Sequence, residues 1–115
     1  MAQDCIFCKI VAGEIPANIV YRDEHVTAFH DISPKTPVHV LIVPNRHFDS
    51  LGALAAEDAQ EVGHLLAAAH QIAQEAGVAS TGYRLCFNMG RDANLVVYHL
   101  HAHLMGGRRL GWPPG

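Results

Sequence analysis

Near the end of this chain three histidines alternate with small or apolar residues, in the run Tyr98-His99-Leu100-His101-Ala102-His103-Leu104-Met105. The backbone geometry of that run decides what it can do. In a helix, at 100° per residue, His101 would point away from His99 and His103. In a strand all three project from one face and Leu100, Ala102 and Leu104 from the other. Val96 and Val97 just upstream are β-branched and favour the strand. A strand over 96–105 is therefore expected, with imidazoles about 6.6 Å apart on one face. Its other face is apolar and must be covered, which calls for a layered fold. Three explanations of the histidine face stand side by side. It is an exposed polar face, or a metal cluster in which His-x-His offers two nitrogens to zinc. Or one imidazole is a nucleophile whose neighbours orient it and handle the leaving-group proton.

The remaining segments supply the layers. Ile19-Val20-Tyr21-Arg22 and Val26-Thr27-Ala28-Phe29-His30 are β-rich runs separated by Asp23-Glu24-His25, the spacing of a hairpin. Ser33-Pro34-Lys35-Thr36-Pro37 reads as a loop. Residues 38–43 are apolar apart from His39 and end at Pro44, so they read as a central strand in which His39 needs a partner. From about 56 to 76 the positions Val62, Leu65, Leu66, Ala69, Ile72, Ala73 and Ala76 keep the period of an amphipathic helix, with Gly77 as its stop and no evident N-cap. A short helical turn is expected around Cys5 to Val11, and another strand over 83–88. The sum is an α+β fold: five mostly antiparallel strands with one long and one short helix covering one face.

At 115 residues and 50% apolar, with no repeat or linker, the chain fits a single domain, 1–115. Eight Lys plus Arg against 11 Asp plus Glu give a net charge of -3, which argues against nucleic acid as a partner. No apolar stretch is long enough for a membrane span, and the N-terminus, with Asp4, lacks a basic leader, so a cytoplasmic protein is expected. Three cysteines, an odd number, are expected to be reduced, with Cys86 in the core. His25, His64 and His70 read as surface residues, and His30 either ends its strand or faces a ligand.

His99-x-His101-x-His103 followed by Gly106-Gly107-Arg108 resembles the histidine triad (HIT) family of nucleotide hydrolases and transferases. The resemblance continues through Cys5-Ile6-Phe7-Cys8-Lys9-Ile10, Gly13-Glu14-Ile15-Pro16, Ala28-Phe29-His30-Asp31-Ile32-Ser33-Pro34, Pro37-Val38-His39, Val43-Pro44-Asn45-Arg46-His47, Gly82-Tyr83-Arg84 and Trp112-Pro113-Pro114-Gly115, which look like its Hint branch. It implies the HIT fold, paired across a homodimer into a ten-stranded sheet. It also implies hydrolysis of the P–N bond of purine nucleoside phosphoramidates, or of aminoacyl adenylates. His101 would attack the α-phosphate, and the nucleotidyl-histidine would be hydrolysed to the nucleoside monophosphate. His103 and His39 would contact the phosphate and leaving group, and Asn88 would hydrogen-bond near the reacting phosphate. Asp31 would accept the ribose hydroxyls, and Ile6, Phe7, Phe29 and Ile32 would surround the base of an AMP- or GMP-type ligand.

Cys5-x-x-Cys8 alone is a weak signal, since such pairs are often small buried groups. The resemblance adds His47 and His99 and so implies a structural zinc site of Cys5, Cys8, His47 and His99. The chain departs from the family at Asn94-Leu95-Val96, where relatives carry Gly-Gln and then a polar residue, a loss of phosphate-side donors. Two alternatives follow: a zinc-stabilised purine-nucleotide-binding or scaffolding protein with vestigial catalysis, and a hydrolase whose histidines hold a catalytic zinc.

Overall fold

The computed structural model describes residues 5–115. Residues 1–4, including the Asp4 of the leader argument, lie outside the described residues. The hairpin forms as its sequence requires. Strands β1 (Ile19–Arg22) and β2 (Val26–His30) are joined at Asp23, whose Oδ1 accepts from the His25 and Val26 N–H groups at 2.7 and 2.8 Å. β2 pairs antiparallel with β3 (Val38–Pro44), β3 with β5 (Ala102–Gly106), and β5 with β4 (Tyr83–Cys86). The five-stranded sheet runs β1-β2-β3-β5-β4, with β3 at its centre.

Helix α2 (Ala59–Glu75) follows a 3-10 turn at Ala56–Asp58. The missing N-cap is found here. Asp58 occupies the position, but its carboxylate turns back to accept from the Ala55 N–H at 2.9 Å and faces Arg46 at 3.5 Å. At the other end Gly77 (φ +78°) donates to the Gln74 carbonyl and Val78 donates to Ala73, a Schellman closure that an L side chain at Gly77 would strain.

The short helix α1 (Ile6–Val11) does not join α2 on one face, as the sequence suggested. Alternation along the strands separates two layers. Val26, Ala28, Val40, Ile42, Ala102 and Leu104 point to α2 and pack on Leu65, Ala68, Ala69, Ile72 and Ala73. Phe29, Leu41 and Val43 point the other way and pack on Phe7 and Ile10 of α1. Apolar periodicity marks α1 as amphipathic but carries no information on which face of the sheet receives it.

The last two strands are shorter than expected. β4 ends at Cys86 and β5 begins only at Ala102, so residues 96–101 are not strand. The register explains this. Ile42 pairs with Ala102, so continuing the pairing would set Leu100 opposite Pro44, which has no N–H to give. Leu100 instead donates its own N–H to the Phe48 carbonyl at 2.7 Å. Beyond β5 the chain turns at Gly107 (φ +93°), where a Cβ would sit 2.8 Å from the Pro37 side chain. No helix among the described residues is long and apolar enough to cross a membrane.

Candidate active site

The face of the sheet opposite α2 gathers two clusters of cysteine, histidine and aspartate side chains. Four of its residues come from elements far apart in sequence: Cys5 at the N-cap of α1, Cys8 within it, His47 three residues past β3, and His99 in the irregular approach to β5. Their ligating atoms lie within 4.8 Å of one another. Cys5 Sγ is 3.2 Å from His99 Nδ1, Cys8 Sγ is 3.2 Å from His47 Nδ1, and the two Nδ1 atoms are 3.1 Å apart.

The outer nitrogens fix the tautomers. His99 Nε2–H donates to the Pro44 carbonyl at 2.9 Å and His47 Nε2–H donates to Asp49 Oδ1 at 2.7 Å. Both Nδ1 lone pairs therefore point inward at two sulfurs, with an outer carbonyl and carboxylate holding the rings as they do at histidine metal sites. Tetrahedral zinc with ordinary bond lengths would set its ligands about 3.3 Å apart for two nitrogens and about 3.6 Å apart for nitrogen and sulfur. The observed spacing fits that group. Burial, then hydrogen bonding from Cys5, pushes the Cys8 thiol up to about 11. A bound cation reverses that preference, because it takes the thiolate. Asp49 was not singled out in the sequence, and Pro44 was read only as the end of a strand. A carboxylate two residues after a ligand histidine was the available signal for the first, whereas the second appears only in three dimensions.

The other histidines form a different arrangement. His39 is buried on β3, and its Nδ1 accepts the Lys35 backbone N–H at 3.0 Å. Its Nε2 therefore carries the proton, which it donates to His103 Nδ1 at 2.9 Å, with Asp31 Oδ2 at 3.5 Å. His103 in turn has its proton on Nε2, directed away from His39. Asp31, His39 and His103 are close enough to hold a cation. The Lys35 N–H argues against one, because it leaves a proton where the metal would bind. Burial, then the charges of His101 and His39, lowers His103 to about 4. Burial lowers His39 also, partly offset by Asp31.

His101 donates its Nδ1–H to the carbonyl of His99 at 2.8 Å. In the neutral ring Nε2 then carries the lone pair, and it has no hydrogen-bond partner among the described residues. The ring stands between Phe7, with centroids 5.2 Å apart, and His103, at 5.0 Å. With His101 in its neutral form, the arrangement sets an unprotonated ring nitrogen beside an N–H donor, which suits attack on an electrophile that gains negative charge.

The triad is therefore divided. His101 and His103 share one site, while His99, fully buried, belongs to the cysteine cluster. The even spacing expected of a strand fails because only His103 lies within β5. Of the expected base-slot residues, Phe7 and Phe29 are buried against each other, whereas Ile6 and Ile32 are exposed, Ile32 at 98%. Asp31 Oδ1 accepts the Ser33 N–H in its turn. Asn88 lies two residues beyond β4, and Val96 is 81% exposed in the loop before the histidines. Cys86, expected in the core, is half-buried and paired across strands with His103, on the reactive face, where burial raises its thiol. His30 ends β2 and lines a groove with Ile72 and Glu75 of α2, on the side away from His101. His25 stacks on His64 at 3.7 Å and His70 bonds to the Tyr83 hydroxyl, both away from the site.

A family model described as HIT domain matches residues 12–110. The chain is 48% identical over 111 residues to a purine nucleoside phosphoramidase of Escherichia coli K12, covering 96% of this chain and 93% of that protein. A crystal structure of a HIT family hydrolase from Legionella pneumophila superposes with a TM-score of 0.95 at 43% identity, covering 97% of this chain and 100% of the other. A histidine triad protein from Clostridium difficile gives 0.91 at 44% identity, covering 94% of each.

Proposed function

The chain belongs to the HIT domain family and is a HIT-type hydrolase, and from that premise we propose that it cleaves the P–N bond of purine nucleoside 5′-phosphoramidates by nucleophilic attack of His101. The observation that carries the reading is the Nδ1–H bond of His101 to the His99 carbonyl, which turns Nε2 away from it and toward no partner among the described residues. That nitrogen attacks the α-phosphorus. The P–N bond of the substrate breaks, and the amine leaves on taking a proton from solvent. Water then attacks the nucleotidyl-His101, the new P–N bond breaks, and the nucleoside monophosphate departs with the His101 lone pair restored. Aminoacyl adenylates enter the same sequence with a carboxylate as leaving group.

His103 Nε2–H donates to a non-bridging phosphate oxygen as charge grows on it, held in aim by the hydrogen bond from His39. Asn88 donates from the loop beyond β4. Asp31, through the oxygen not occupied by Ser33, accepts the ribose hydroxyls. Ile6, Phe7, Phe29 and Ile32 border the purine. Cys5, Cys8, His47 and His99 would hold a zinc ion, which would supply a structural crosslink and no reacting group. The last strand, through which the resemblance would pair two copies, lies inside the sheet as β5, so a homodimer through α2, with Leu66 exposed, and the edge strand β4 fits the topology instead. Cys5, Cys8 and Cys86 are joined by no disulfide, which suits the reducing cytoplasm.

The test is hydrolysis of a fluorogenic adenosine 5′-phosphoramidate by the native protein and by His101→Ala, with rapid-quench mass spectrometry for the nucleotidyl adduct. Turnover and adduct in the native protein, both reduced by at least about 10³-fold in the variant, are expected. Binding of AMP without turnover sinks this substrate class.

A further inference from the structure

His101 is held by one hydrogen bond, from Nδ1 to the His99 carbonyl. One such bond leaves a ring free to tilt about its axis, and the nitrogen that must reach phosphorus is the one at the far end. What restrains the tilt is packing. The His103 ring stands 5.0 Å away at 62°, and the Phe7 ring stands 5.2 Å away at 86°, almost perpendicular. Phe7 is itself immobilised. It is 7% exposed, meets Phe29 at 5.5 Å and 68°, and touches the His99 ring at 6.0 Å and 69°. It also sits between Cys5 and Cys8 in sequence, on the six-residue helix that brings both thiols to the histidine cluster.

We propose that Phe7 is a positioning residue for the nucleophile: its ring, carried on α1, wedges His101 so that Nε2 stays aligned for attack. This rests on the reading of His101 as nucleophile and goes beyond a share in a base slot. Near-perpendicular aromatic pairs are favoured by the ring quadrupole beyond what their burial contributes, and small misplacements of a reacting group cost rate steeply. Leucine would fill much of the same space and keep α1 docked, yet it offers no flat ring against His101.

The two roles separate in kinetics. A base-slot residue acts on nucleotide affinity, so its loss raises KM and weakens AMP binding. A positioning residue acts on the chemical step, so its loss lowers kcat at unchanged affinity. The experiment compares the native protein with Phe7→Leu, and with Phe7→Met should the leucine variant lose its cooperative unfolding. It measures kcat, KM and AMP affinity, and it follows solvent exchange of the His101 Nδ1–H by ¹⁵N-resolved NMR. Leucine keeps an apolar wall beside the purine while losing the flat ring against His101, so the expected results are a roughly three- to ten-fold fall in kcat, KM and AMP affinity within about two-fold, and faster exchange of the His101 proton.

An unchanged kcat with raised KM overturns the proposal in favour of the base slot. A lower kcat with unaltered His101 exchange overturns it also, because the loss then came from elsewhere. Should the native protein turn over no phosphoramidate, the reading of function fails on its own. The exchange comparison then still decides: faster exchange in the variant supports the wedge, and identical exchange overturns it.

Discussion

Lowering the pH from 7 to 5 is expected to weaken this fold through His103. Burial, with the charges of His101 and His39, brings its pKa from 6.5 to about 4. The folded protein thus keeps this ring neutral where the unfolded chain protonates it. Stability tied to the group is complete above about pH 6.5 and is lost as the pH falls toward about 4. A fall of that size corresponds to about 3.4 kcal/mol at 1.36 kcal/mol per pKa unit, of which about 2 kcal/mol is gone by pH 5. His103 is only half-buried, and solvent screening brings the expected loss to about 1 kcal/mol. Urea unfolding at pH 7, 6 and 5 measures it, with His103→Asn as the reference. Asparagine keeps an acceptor for His39 and has no basic ring, and the titration of His39, His99 and the carboxylates is common to both proteins. The native protein should lose about 1 kcal/mol more than the variant between pH 7 and pH 5. Parallel losses would refute the reasoning, since His103 would then share one pKa in the folded and unfolded states.

Two further outcomes follow from other parts of the fold. Cys8→Ser should abolish stoichiometric zinc, read by metal analysis of the purified protein, and lower Tm by at least about 5 °C. Zinc retained by the variant, or absent from native protein prepared with zinc, would remove the structural-metal reading. Gly107→Ala meets both a positive φ and the Pro37 side chain and should cost about 1–3 kcal/mol in urea unfolding. A cost below about 0.5 kcal/mol would mean that the close approach is not a constraint.

The hairpin, the central strand and the long helix were legible because each is a local matter. Asx chemistry at Asp23, an apolar run ended by Pro44, and a 3.6-residue period ended by Gly77 act within a few residues of themselves. What stayed hidden was relational. The start of β5 depends on Pro44, a residue of another strand, whose missing N–H is significant only once the register is known. The side on which α1 docks depends on the parity of Phe29, Leu41 and Val43, which no pattern inside α1 reveals. In the site, the alternating histidines and the cysteine pair were visible as candidates, but their division was not. His99 is committed to the cluster by the Pro44 carbonyl, and the tautomer of His39 is set by the backbone N–H of Lys35. Neither partner carries a signal in its own side chain.

Alternation along β3 and β5 gives each strand two readers, since His39, Leu41 and His103 serve one face while Val40, Ile42, Ala102 and Leu104 serve the other. Losing a single residue from either strand would exchange the two sets, setting imidazoles against Leu65 and Ile72 and aliphatic groups beneath the substrate. Drift in length is closed to these strands even where substitution is open, so the spacing of the histidines is guarded by the packing of α2 as strictly as by any demand of the reaction. Change in this protein is expected to accumulate instead in the loop over 89–98, where an inserted residue disturbs neither reader.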